Sequence, residues 1–127
     1  MKEQILLFHF QEDARRSAVR KALLPLHIAC KEIPQEQWEV PIGALAGLAA
    51  QPQPQLETRE LSEEVLILCG LSDDALQQAV MALRKAGLYL PYKAVLTPTN
   101  KDWTVRQLFC ELYREHEMMQ QMAKAKD

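Results

Sequence analysis

Val65-Leu66-Ile67-Leu68-Cys69, followed by Gly70 and by Ser72-Asp73-Asp74-Ala75, is the stretch on which the fold turns. Its unbroken apolar run leaves no polar face, as in a strand covered by helices on both sides. Gly70 permits a tight turn, and Ser72 is a good N-cap because its hydroxyl can accept from a free amide of the first helical turn. Ala75, Leu76, Ala79, Val80 and Leu83 then share one helical stripe. Gly87 can close that helix in the left-handed conformation, with Leu88 packing back on the last turn. About sixty residues upstream, a spacing at which repeats are sought, Ile5-Leu6-Leu7-Phe8 leads into Glu12-Asp13-Ala14 and Ala18-Val19 in the same order. The chain therefore reads as two strand–helix units.

Outward from these units the elements follow in turn. Glu12 to Leu24 forms a helix with Ala14, Ala18, Val19, Ala22 and Leu23 inward, Arg15, Arg16, Arg20 and Lys21 mostly opposite, and Pro25 as its stop. His27 to Lys31 is a shorter, more polar strand suited to an edge, and Glu32 to Glu39 is a loop holding Pro34 and Trp38. Pro41 opens a short helix through Ile42, Leu45 and Leu48, weakened by Gly43 and Gly47. Gln51-Pro52-Gln53-Pro54-Gln55 begins a semi-extended linker over residues 51–60, because proline excludes helix and cannot donate to a ladder. Tyr92 to Thr97 is the fourth strand, and Thr97-Pro98-Thr99-Asn100 is the turn after it. Thr104 and Gln107 have capping-box spacing, so the last helix starts there. Val105, Leu108, Leu112, His116 and Met119 share its inner face. Continued to Ala123, it is about 30 Å long, more than five-residue strands can cover, so its end projects.

These elements predict a single α/β domain over residues 1–127, with halves 1–50 and 61–127. Right-handed crossovers suggest a mainly parallel four-stranded sheet, ordered 2-1-3-4, with helices on both faces and two similar βαβα halves. The alternative is a ferredoxin-like α+β core with extra helices, which requires antiparallel second and third strands and can leave one face open. The apolar character of both Ile5–Phe8 and Val65–Leu68 favours the parallel arrangement.

Composition narrows the function classes. Apolar residues make up 48% of the chain and charged residues 25%, an ordinary globular balance. A formal charge of −2 provides no general attraction for phosphate backbones or anionic lipid, so nucleic acid and membrane are not expected partners. Cys30, Cys69 and Cys110 are widely spaced and lack any zinc-finger or CxxC pattern, which suggests reduced thiols and no structural metal. The apolar run near the N-terminus is too short for a signal-peptide core or a membrane span. A cytoplasmic location is expected.

Lys93-Ala94-Val95-Leu96-Thr97-Pro98-Thr99-Asn100, with Trp103, Leu108, Glu111-Leu112 and Glu115-His116 after it, resembles a small bacterial family known only as a domain of unknown function, number 3783. The resemblance runs from about Val65 to Glu117 and implies no activity. In the first half, Cys30-Lys31-Glu32-Ile33-Pro34 stands where the Thr-Pro-Thr-Asn turn would be, so any site made by that turn is single.

In open parallel sheets, ligands bind beyond the carboxyl ends of the strands where strand order reverses. For this chain that is the gap between the first and third strands. The candidate ligand-binding residues there are His9 and Asp13 from one loop, Cys69, Ser72 and Asp73 from the other, and Thr97, Thr99 and Asn100 from the fourth strand. His9 with Cys69 could form a thiolate–imidazole pair, against the plainer reading of buried strand-end filler. Asp13, Asp73 and Asp74 could hold a magnesium ion, against the stronger reading that acids in a first turn answer the helix dipole. Thr97, Thr99 and Asn100 have turn-making as their plainer role. A phosphoacceptor site fails because Cys69 and Gly70 stand where the acceptor should be. Nucleotide-binding glycine loops are missing, and Tyr113 breaks a di-iron Glu-x-x-His pattern. No catalytic residue, metal or cofactor is assigned. Met118, Met119 and Met122 near the end of the last helix suit adaptable apolar contact, against the reading of a frayed tail at Lys124-Ala125-Lys126-Asp127. The expected function is a non-enzymatic interaction or self-associating regulatory module, possible as a homodimer or with an unknown protein partner. The alternative is small-ligand binding or catalysis in the strand-end crevice.

Overall fold

A computed structural model describes residues 2–125, with the side chain of Ala125 excepted; Lys126 and Asp127, at the end of the suggested tail, lie outside the described residues. Four strands, β1 (Gln4–Phe8), β2 (Ala29–Ile33), β3 (Val65–Cys69) and β4 (Lys93–Val95), form one sheet ordered β2-β1-β3-β4. Among the described residues four α-helices accompany them: α1 (Asp13–Leu23), α2 (Ile42–Leu45), α3 (Asp73–Lys85) and α4 (Val105–Ala125). The strand order is the expected one. The directions are not.

β1 runs parallel to β2, and β3 runs parallel to β4, but β1 and β3 pair antiparallel, with Gln4 opposite Cys69, Leu6 opposite Ile67 and Phe8 opposite Val65. The sheet is mixed. Apolar residues on both faces show that a strand is central, but they are the same for either direction, so the sequence pattern carries no information about polarity. The ferredoxin-like alternative is not formed either, because β1 separates β2 from β3 and helices cover both faces.

Period-two alternation divides the core into two layers. Ile5 and Leu7 of β1 and Leu66 and Leu68 of β3 pack against Val19 and Leu23 of α1 and Ala79 and Leu83 of α3. Leu6, Phe8, Val65, Ile67 and Cys69 face the other way, onto Ile42 of α2 and Val105, Leu108 and Phe109 of α4. The two β-α-β crossovers start from adjacent antiparallel strands. Crossovers of one hand then place both helices on the same face, as α1 and α3 are.

Local signals work as read at several joints. Ser72 Oγ accepts from the Ala75 amide at 3.1 Å, and the Thr104 and Gln107 side chains exchange bonds with each other's amides at 3.3 and 2.9 Å. Gly87, at φ +76°, closes α3, with its amide on the Arg84 carbonyl and that of Leu88 on the Leu83 carbonyl. β2 starts later than expected because a 3-10 turn over Leu24–Leu26 and a left-handed His27 use up the residues before it. α2 is shorter than expected, and Gly43 has a packing reason: a Cβ there would lie 2.8 Å from the Lys101 backbone oxygen. Trp38, placed in a loop, is buried with its indole N–H donating to the Ile33 carbonyl at 3.1 Å.

The strand polarity has a direct chemical test. Gln4→Cys will form a disulfide with Cys69 when the unfolded chain is refolded under oxidising conditions, since directly opposed residues of an antiparallel pair have Cβ atoms roughly 4.5–5.5 Å apart. A parallel pair would leave them a strand length apart, and no bridge would form. Truncating the sheet centre, Leu6→Ala, will cost about 2–5 kcal/mol in denaturant unfolding.

Candidate functional site

Antiparallel pairing separates the expected crevice into two ends. His9 follows Phe8, which faces Val65, whereas Cys69 faces Gln4 at the other end of the pair. That is about five residue steps, roughly 17 Å at 3.4 Å per step. His9 and Asp13 therefore lie at one end of the sheet, and Cys69, Ser72, Asp73, Thr97, Thr99 and Asn100 belong to the other. This overturns the crevice between the first and third strands, the His9–Cys69 pair and the cluster of Asp13 with Asp73 and Asp74.

At the β3–β4 end the expected ligand groups are occupied by the fold. Cys69 is 0% exposed, and burial pushes its thiol up to about 12. Ser72 caps α3. Asn100, buried, holds the turn: its Oδ1 accepts from the Thr97 amide at 2.9 Å and its Nδ2 donates to the Val95 carbonyl at 3.0 Å. Its own amide donates to Thr97 Oγ1 at 3.0 Å. Asn100 thereby also satisfies a carbonyl of the edge strand β4, which blunts that edge. Asp73 and Thr99 are exposed on the surface.

The β1–β2 end is open. Here the carboxyl ends of two parallel strands face a cavity of about 500 Å³ lined by His9, Gln11, Arg16, Glu32, Gln35 and Trp38 among others. His9, half-buried at φ +65°, takes the left-handed conformation that usually favours glycine, and its ring meets Trp38 edge-on at 5.7 Å. Arg16 pairs with Glu32 of β2 at 2.8 Å and with Asp13 in its own helix. Arg15 pairs with Glu64 at 2.6 Å. Arg15 and Arg16, on the side of α1 away from its apolar stripe, are thus tied to neighbouring elements. This end offers amides, an imidazole and a paired Arg–Glu to a small polar ligand.

α4 makes the other surface. It is buried from Gln107 to Cys110, and its inner stripe continues through half-buried Leu112 and His116 to Met119. Met122 lies beside that stripe and Met118 about 100° round the helix from Met119. Met118, Met119 and Met122 are exposed by 62%, 70% and 61%. Along its flank runs the segment read as a linker. Gln107 Nε2 donates to the Gln53 carbonyl at 2.7 Å, Arg114 pairs with Glu57, and Arg106 pairs with Glu60 at 3.1 Å and with Glu39. Arg59 stacks on the Tyr113 ring at 3.6 Å. Proline content predicts a semi-extended segment, but the Leu56 amide closes a turn on the Gln53 carbonyl at 3.1 Å, and no local rule says which surface the segment lies on, so its contacts with α4 had no sequence signal.

The model of a family described as Domain of unknown function (DUF3783) matches residues 64–119, from the start of β3 into the exposed part of α4. No curated protein and no solved structure matches the chain. The turn residues that carry the likeness, Thr97 to Asn100, are explained by the hydrogen bonds that end β4.

The thiol chemistry follows from burial. Cys69 in the folded protein will not react with a thiol reagent at neutral pH, and half-buried Cys30 will react first. The folded thiol stays protonated while the unfolded one ionises near 9.0, so stability falls as pH rises from there towards about 12. Rapid labelling of native Cys69, followed by mass spectrometry, contradicts this. Asn100→Ala will cost about 1–3 kcal/mol by leaving buried partners unpaired, measured by denaturant unfolding.

Proposed function

We propose that this protein is a non-enzymatic association module that pairs with a second copy of itself through the free end of α4. The observation that carries the reading is the placement of Met118, Met119 and Met122. Met119 extends the inner stripe of a helix about 30 Å long beyond the residues that the sheet covers, with Met122 beside that stripe and Met118 further round the same exposed end. Methionine packs adaptably because it is unbranched and polarisable. Charge supports an antiparallel pairing of two such ends, since Glu111, Glu115 and Glu117 precede the methionines and Lys124 follows them. The free thiols at Cys30, Cys69 and Cys110 support a reducing, cytoplasmic setting. Left-handed residues at matching joints, His9 with Gly70 and His27 with Gly87, support a common origin for the two β-α-β units.

A second reading is small-ligand binding at the β1–β2 end, favoured by its polar-lined cavity and by the left-handed backbone of His9. In that reading the alternative crevice moves from the first and third strands to the first and second.

Sedimentation or light scattering will show concentration-dependent dimerisation of the whole chain. Truncation after Glu117, and separately Met118→Gln/Met119→Gln/Met122→Gln, will leave a folded monomer. A wild-type chain that stays monomeric into the millimolar range overturns self-association.

A further inference from the structure

β4 stands at the edge of the sheet, with β3 on one side only. Alternate residues of such a strand turn their main-chain groups to opposite sides. The Tyr92 carbonyl accepts from the Leu66 amide at 3.1 Å, and the Leu96 amide donates to the Leu68 carbonyl at 2.9 Å, so the even-numbered residues serve β3. Lys93 and Val95 turn outward. Asn100 Nδ2 takes the Val95 carbonyl at 3.0 Å. The Lys93 carbonyl and both amides are left on the open edge.

A cleft runs beside that edge. Lys93 opposes Leu66 and Val95 opposes Leu68, so both side chains point to the face that α1 and α3 cover. α3 sets Ala79 and Leu83 on the central strands and leaves Leu76 and Val80 half-buried on its flank. A cavity of about 200 Å³ lies between Leu76 and Val80 on one side and Ala94 and Val95 on the other. A second, of about 540 Å³, shares Leu76 and Val80 with it and extends to Met81 and Arg84. Met81 and Val95 are exposed, so the apolar lining is open to solvent. The Lys93 ammonium donates to the Leu90 carbonyl at 2.7 Å. Partial burial there, and then the neighbouring charge of Arg84, hold it below its ordinary pKa. Among the described residues neither cation forms an ion pair.

We infer that β4 and the cleft beside α3 are a docking site for an extended segment of another protein, which joins the sheet as a further strand. Its main chain bonds the Lys93 carbonyl and the two free amides, as in strand addition to a sheet edge. Side chains two residues apart share a face of a strand. The segment therefore carries an acid for Arg84 and Lys93 and, two residues away, a bulky apolar side chain for the space beside Val80 and Val95. The β4 strand of a second copy does not meet these terms. One antiparallel register puts Lys93 against Lys93, with like charges opposed. The other puts Lys93 against Val95, whose carbonyl Asn100 already holds. Lys93 and Asn100 thus guard the edge against its own copies and leave it open to an acidic strand. This surface lies apart from the methionine end of α4, and the inference does not rest on that end.

The probe is a fluorescent heptapeptide, Thr-Val-Thr-Glu-Thr-Val-Thr, which presents Val and Glu on one face in either strand direction. Fluorescence anisotropy with the whole chain will show saturable binding, and hydrogen exchange at the Val95 amide will slow at saturation. Replacing the peptide's Glu with Gln will weaken binding about tenfold, as will Arg84→Gln at its exposed helix position. Val95→Asp, also on the surface, will abolish binding. No binding into the millimolar range, or equal affinity for the Glu and Gln peptides, overturns the inference. Binding that leaves exchange at Val95 unchanged overturns it too, because the peptide then sits elsewhere. Dimerisation that protects the same amide and excludes the peptide shows a second copy as the occupant, and the partner assignment falls.

Discussion

Antiparallel pairing of β1 with β3 is the contact that organises everything else in the molecule. Ile5 to Phe8 and Val65 to Leu68 are buried on both faces, so neither strand can stand at an edge. Each brings its own parallel partner, β2 or β4, and the sheet grows outward from the central pair. Since the central pair runs in opposite directions, the carboxyl ends of the two parallel pairs lie at opposite ends of the sheet. There are two strand-end surfaces, and they differ. One is filled by the Thr97–Asn100 turn and its internal hydrogen bonds, while the other keeps a polar-lined cavity beside His9 and Trp38.

The layer opposite α1 and α3 is where the two units diverge. α4 covers that face with Val105, Leu108 and Phe109, helped by Ile42 of α2, and still has more than a turn of helix left over. Its surfaces therefore carry what the core does not use: an apolar end with three methionines and a cationic flank under the segment 51–60. The β3–β4 end, by contrast, has spent its polar side chains on caps and turns.

Much of the architecture was legible locally. The caps at Ser72 and at Thr104 with Gln107, the left-handed stop at Gly87 and the projecting end of α4 all depend on residues within a turn of one another. Those interactions have geometry that spacing alone specifies. The candidate site was less legible. His9, Cys69 and Asn100 were grouped by assuming a common strand direction, and the structure divides them between two ends. Arg16, Glu32, Gln35 and Trp38 were missed as neighbours because their meeting depends on how α1, β2 and the following 3-10 turn pack together.

By itself the sequence determined the strands that must be central, the helices between them, their caps and the order 2-1-3-4. Hydrophobic burial and local hydrogen bonding do not require knowledge of distant partners. Only the tertiary structure decided the relative direction of β1 and β3 and the path of residues 51–60. A strand apolar on both faces looks the same read in either direction, and a polar connecting segment makes its few tertiary contacts with side chains far away in the chain. Which loops share an end of the sheet, and so which residues can act together, followed from those two decisions.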